Sequence, residues 1–263
     1  MNYYNEWDSF AAEWLRELIK EGLIPPGHVD ERSIVDIEPK DLHGYTQCHF
    51  FAGIGGWSYA LQLAGWDSTR PVWTGSPPCQ PFSTAGKQKG KEDERHLWPA
   101  FFKLIRECKP PTVFGEQVAS AIAQGWYDDL QDDMEAEGYA TGMAVLPACS
   151  VNAPHKRNRL FFVADSRSQR SSGYGESGDK QIQKGWDRAE GHSSENSLVI
   201  SNWRTPLQLL FRDGKWRTIP TEPTLQPLAN GVPNRVGILR GAGNAIVPQV
   251  AAEFIKAYEG FNL

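Results

Sequence analysis

The chain has 263 residues, 40% of them hydrophobic and 22% charged, a balance that excludes wholesale disorder. That length suffices for one good core with at most a small appended lobe. A net charge of −5 does not mark a general polyanion binder, but the acidity is local: residues 1–45 hold ten Asp/Glu against four Lys/Arg, and the rest nets +1.

No apolar run approaches the about 20 residues of a membrane span. Met1 to Trp7 lacks the basic and apolar regions of a secretion signal. A cytoplasmic protein is expected, without a membrane partner. Cys48, Cys79, Cys108 and Cys149 are dispersed, with no Cys-x-x-Cys pair or matching His spacing, so neither a zinc site nor disulfides are expected. Most of the ten tryptophans suit packing, with a minority left to face a ligand.

In chain order, residues 10–23 show helical apolar spacing, ended by Gly22 and Pro25-Pro26. Ser33 to Ile37 reads as a short strand. Cys48 to Phe51 reads as a buried strand running into Gly53-Ile-Gly55-Gly56, followed by a helix over Ser58 to Ala64. Val72 to Thr74 is the next strand, ending in a loop from Gly75 to Ser83. A helix over Leu97 to Cys108, a strand over Thr112 to Phe114 and a helix over Tyr127 to Glu137 follow, then a strand over Leu160 to Ala164. Strands alternating with helices predict an α/β fold with a mainly parallel sheet. Residues 166–200 are rich in Ser, Gly and charge and read as loop. Asp213-Gly214 signals a hairpin within Leu209 to Ile219, and a last helix covers Val250 to Tyr258.

The glycine loop suits backbone approach to a nucleotide-like ligand at a helix N-terminus; a plain tight turn explains it equally well. Ser76-Pro-Pro-Cys79-Gln80-Pro81-Phe-Ser83 is more specific. Its three prolines stiffen a loop at the carboxyl end of a strand and hold a thiol where α/β sheets place ligands. Glu116 follows the next strand and would open into the same crevice. Taken singly, Glu116, Arg157 and Arg159 read as solvated charges.

Taken together, these residues resemble the DNA cytosine-5 methyltransferase family, over roughly residues 46–164 and 227–258. The resemblance rests on five motifs in order: Phe51-Ala-Gly53-Ile-Gly55, Pro78-Cys79-Gln80, Glu116-Gln-Val, His155 to Arg159, and Gly243-Asn244 to Pro248. The wording around them resembles bacteriophage and prophage members, some of which belong to restriction-modification systems.

The resemblance implies a Rossmann-like S-adenosylmethionine-dependent fold and methylation of C5 of a flipped cytosine in double-stranded DNA. Cys79 would attack C6, Glu116 would hold N3 protonated, and Arg159 supported by Arg157 would fix the base. Phe51, Ala52, Gly53, Gly55, Gly56, Trp57, Pro78, Asn244 and Ala245 would hold the cofactor. Gln80, Ser83, Lys87 and Lys89 would meet DNA, the lysines otherwise forming a solvated run. Arg204, Arg212, Lys215 and Arg217 near the hairpin are candidates for groove contacts, with a purely structural hairpin as the alternative.

Four regions follow: an acidic cover segment (1–45), the catalytic and cofactor-binding core (46–164), a small target-recognition region (165–226) and a C-terminal return (227–263). A monomer is expected, in a bacterial or phage-infected cell.

Two departures from the family stand out. Gln117 replaces the usual Asn and His155 the usual Gln. Only about twenty residues separate Gly56 from Pro78, too few for the two further strand–helix units the family carries there. Those units supply acids for the cofactor ribose and adenine. Residues 1–45 are expected to cover the vacated edge, with Asp36 or Glu38 in place of the ribose acid. Two rival readings remain: a catalytically silent DNA- or protein-binding relative, and a C5-modifying enzyme with another donor or a nucleotide substrate.

Overall fold

The structure is a computed structural model that describes residues 1–78, 97–153, 155–166, 207–210, 216–219, 241 and 243–261. Its main element is a seven-stranded sheet of α/β type. In chain order the elements are β1 (Asn2–Asn5), α1 (Ser9–Lys20), β2 (Gly27–Asp30), β3 (Gln47–Phe50), α2 (Gly56–Ala64), β4 (Val72–Gly75), α3 (Trp98–Cys108), β5 (Thr112–Val118), α4 (Trp126–Ala136), β6 (Ala140–Leu146) and β7 (Arg159–Asp165). A separate antiparallel pair, β8 (Leu207–Leu210) with β9 (Trp216–Ile219), precedes α5 (Pro248–Phe261).

The spatial order is β2-β1-β3-β4-β5-β7-β6. The first five strands run parallel, and β7 is antiparallel to both β5 and β6. Central strands have side chains buried on both faces, as parallel sheets covered by helices require.

Residues 1–45 are built into this sheet. β1 pairs with β3 over its whole length, and β2 becomes the edge. Ser33 to Ile37 is a 3-10 turn over Ile34–Asp36 instead of a strand, because Ile34 and Ile37 both turn inward onto the core beside α3. Three strands escaped the sequence reading. β1 and β2 have only four residues each, two of the buried positions of β1 being asparagines. β6 is a half-exposed edge strand of mostly small side chains.

Helix α1 starts where the Asp8 side chain accepts from the amides of Phe10 and Ala11, a standard N-cap arrangement. The hydroxyl of Tyr3 donates to Asp30 at 2.8 Å and ties β1 to β2. Tyr4 crosses the other way, donating to the Pro25 carbonyl at 2.8 Å and meeting the Ser58 hydroxyl of α2 at 3.1 Å.

Neighbouring residues on a strand point to opposite faces. Phe50, Trp73, Val113 and Phe162 share one core cluster with α3 and α4. Val72, Phe114 and Phe161 share another with α2 and α5. Helices α2 and α3 therefore lie on opposite faces, although β3→β4 and β4→β5 are parallel steps in the same direction. The two crossovers have opposite hands.

Helix α1 lies on the face of α2, since Tyr4 packs with Leu15 and reaches Ser58. The step β1→β2 runs the opposite way across the sheet, which gives it the hand of β4-α3-β5. Right-handed crossovers account for about 98% of cases. The exception here is β3-α2-β4.

Candidate active site

Open α/β sheets bind ligands outside the carboxyl ends of their strands, and there the chain brings its candidate residues together. Beyond β3, Phe51, Gly53 and Gly55 all adopt positive φ, at 51°, 55° and 82°. Only glycine takes this conformation freely; at Phe51 it is backbone strain of the kind concentrated at functional sites. A Cβ on Gly53 would meet nothing within 4 Å, whereas one on Gly55 would lie 3.3 Å from both Leu15 and Ile24. The loop thus rests on α1 at Gly55 and opens to a ligand at Gly53.

An acid already touches this loop. The amide of Gly53 donates to Glu6 Oε2 at 2.7 Å, and the neighbouring Ala52 amide donates to the Asn5 carbonyl at 3.0 Å. Glu6 Oε1 accepts from the Asp8 amide at 2.9 Å. The sequence reading had looked to Asp36 or Glu38. Asp36 is exposed on its turn, and Glu38 is engaged in a capping box with Asp41 and an ion pair with Lys40. A strand directly before an N-capped helix, with an acid between them, was the signal that could have identified Glu6.

The C-terminal return lies on the same loop. A Cβ on Gly56 would come within 2.8 Å of Ile246, and one on Gly241 within 3.2 Å of Ile54. Asn244 is exposed beside it. Arg157 holds the return in place, its Nη2 donating to the carbonyls of Gly243 at 2.9 Å and Ala245 at 2.7 Å. Arg157, expected to support Arg159 at the base, also positions the Asn244 segment with its guanidinium, and its charge acts on Glu116. Its backbone takes a positive φ of 33°. Burial, then the Arg159 charge, lowers its affinity for the proton, against the pull of Glu116.

After β4, Ser76, Pro77 and Pro78 lead to the predicted nucleophile. Gln117 donates to the Pro77 carbonyl at 3.1 Å, while its own oxygen accepts the Val118 amide at 2.9 Å. The residue that departs from the family's Asn therefore anchors the proline loop. Trp57 is buried and donates its indole N–H to the Ser76 hydroxyl at 2.9 Å. It positions this loop.

Glu116 lies within β5 itself, not in a loop after it, opposite Phe161 of β7. Arg159 Nε meets its carboxylate at 2.7 Å. Burial pushes the Glu116 carboxyl up, opposed by the charges of Arg159 and Arg157 and by hydrogen bonds from Ser76 and Arg159. It is easier to protonate than a solvated glutamate, which suits a group that shares a proton with a ring nitrogen.

Cys79, Gln80, Ser83, Lys87, Lys89, Arg204, Arg212 and Lys215 lie outside the described residues. Arg217 falls in β9, in register with Leu209, and its side chain is also outside them. Cys48 is a buried thiol whose pKa burial raises, and burial raises that of Cys108 as well. Among the described residues no group of three or more His, Cys, Asp or Glu could hold a metal, and no helix is long and apolar enough to cross a membrane.

The mainly parallel sheet and its covering helices define a Rossmann-like α/β fold. Residues 71–198 match the model of the C-5 cytosine-specific DNA methylase family. That match covers just under half of the chain. The chain is 34% identical over 95 residues to the type II methyltransferase M.AplI of Arthrospira platensis, covering 35% of this chain and 28% of that one. To M.HhaI of Haemophilus parahaemolyticus it is 29% identical over 169 residues, covering 49% and 52%. The chain thus spans at most about half the length of these relatives. A solved methyltransferase of Entamoeba histolytica superposes with a TM-score of 0.44 at 17% identity, covering 62% of this chain and 44% of that one.

Proposed function

We propose that this protein transfers a methyl group from S-adenosylmethionine to C5 of a cytosine flipped out of duplex DNA. The observation that carries this reading is the pair of buried Glu116 and half-buried Arg159 at 2.7 Å, one strand over from the Pro77-Pro78 loop that leads to Cys79. The open glycine cradle at Gly53, ahead of α2, fits a nucleoside-bearing methyl donor. Phe51 to Gly56, Pro78, Asn244 and Ala245 would hold it, and when bound it supplies an electrophilic methyl on a sulfonium sulfur.

The remaining steps belong to the chain and the base. The thiolate of Cys79 adds to C6, and its electron pair makes C5 enamine-like. Glu116 shares its proton with N3 and absorbs the charge that builds on the ring. Arg159 holds Glu116 and offers donors to the base. C5 accepts the methyl group, a base removes the C5 proton, and β-elimination returns the thiolate.

Extruding the base costs a few kcal/mol, and phosphate contacts from Lys87 and Lys89 would help to offset it. Tritiated S-adenosylmethionine incubated with the protein and DNA of varied sequence tests the reading. Wild type is expected to label DNA, and Cys79→Ser to lose at least about 1000-fold in rate. Absence of transfer by wild type would defeat it.

A further inference from the structure

The geometry points to Glu6 as the acceptor for the ribose hydroxyls of the methyl donor, a deduction that rests on the donor proposed above. A ribose diol is recognised by an acid at the carboxyl end of the strand beside the glycine-loop strand. In this sheet the free side of β3 is taken by β1, and the first residue beyond β1 is Glu6. Its carboxylate reaches the Gly53 amide at 2.7 Å, within the cradle itself. Glu6 is half-buried, and its two hydrogen bonds, from the amides of Asp8 and Gly53, fix the carboxylate at the glycine loop.

Trp7 follows directly and, at 73% exposure, is the most exposed large apolar side chain among the described residues. An exposed apolar side chain next in the chain to a diol acceptor suits a nucleoside better than a simple ion. The surroundings agree in charge, since residues 1–45 carry a net −6 and the donor's sulfonium is cationic.

The acid thus comes from a segment that precedes the glycine loop in the chain. The units that seemed deleted after Gly56 have their place in the sheet filled by β1-α1-β2. The hand of β3-α2-β4 agrees. Helix α2 lies on the face that a right-handed connection from β3 to β1 would use, not one from β3 to β4.

Calorimetry with S-adenosylhomocysteine and its 2′,3′-dideoxyribose analogue tests the assignment without catalysis. Wild type is expected to bind the analogue at least about 10-fold more weakly. Glu6→Gln is expected to lose a similar factor for the parent ligand and to show no further loss with the analogue. Asp36→Asn and Glu38→Gln should bind as wild type. Equal binding of the two ligands by wild type overturns the assignment, and that comparison needs no variant to fold. Full affinity in Glu6→Gln, or discrimination lost in Asp36→Asn or Glu38→Gln, also overturns it. Failure of wild type to bind either ligand removes the proposed donor, and the assignment with it.

Discussion

The two halves of the sheet are built on different logics. In the half from β4 to β7, the candidate residues appear in the chain in the order the crevice uses them: the proline loop after β4, Glu116 in β5, Arg159 opening β7. In the half made of β2, β1 and β3, the chain arrives in the other order, so the acid beside the glycine loop precedes that loop by 47 residues.

The halves also differ in charge. Residues 1–45 are acidic, whereas in the other half Arg157 and Arg159 set two positive charges on Glu116. An acidic surface repels a polyanion and attracts a cationic small molecule, and the paired arginines do the reverse. A site on a sheet is thus defined by which strand ends meet, and chain order is only one way of bringing them together.

Four perturbations bear on this contrast. The largest effect is expected from Glu116→Gln, which should lower the rate of methyl transfer about 100-fold while leaving calorimetric affinity for S-adenosylhomocysteine unchanged. Glu6→Gln should do the opposite, weakening nucleoside binding first. Lost cofactor affinity in Glu116→Gln would break the division between the halves.

The division also explains what was legible in the sequence. Motifs around Gly53, Pro78 and Glu116 could be read because each follows an apolar run that marks a strand. Helices α1 to α5 were visible from periodicity, with ends within a few residues of the predicted ones. Strands β1 and β2 carry too little signal: four residues each, with Asn2, Asn5 and Asp30 inside a buried pairing that only tertiary contacts make tolerable. Without β1 in view, Glu6 was one acid among ten. The hold of Arg157 on the C-terminal return was illegible for another reason: its carbonyl partners lie 86 and 88 residues away and no local pattern announces them.

A smaller effect is expected at the joint that holds the N-terminal unit together. Asp30 is buried, which alone would raise its pKa, but hydrogen bonds from Arg32 and from Tyr3 outweigh this and hold it at about 2. A carboxyl depressed on folding contributes stability above its unfolded range near 3.8, and that contribution is lost as pH falls through about 2. Asp30→Asn should therefore cost roughly 2 kcal/mol at pH 7, seen as a melting temperature lower by about 5 °C. The gap to wild type should narrow between pH 4 and pH 2. A gap independent of pH would show that the Arg32 pairing contributes nothing through its charge.

The smallest effect is expected from the most drastic change. The start of β1, the start of β3 and the segment before β4 meet at one end of the sheet: the Thr46 amide donates to the Met1 carbonyl at 3.1 Å, the Val72 amide to the Thr46 carbonyl at 3.3 Å, and the Gln47 side chain to the Asp67 carbonyl at 3.5 Å. A chain that starts at Thr46, runs to Asp67, continues through residues 1–45 and resumes at Ser68, with short Gly/Ser joints, would need no strand to move. It would also turn the exceptional connection into ordinary ones, since β3-α2-β1 is right-handed and the 34–42 segment leads from β2 to β4 on the face of α3. The rearranged protein should melt within a few degrees of wild type and bind S-adenosylhomocysteine within about threefold, because such joints add only loop-closure entropy of under about 1 kcal/mol each. If it folds but binds no nucleoside, the position of Glu6 depends on its own stretch of chain, and sheet position alone does not define the donor half.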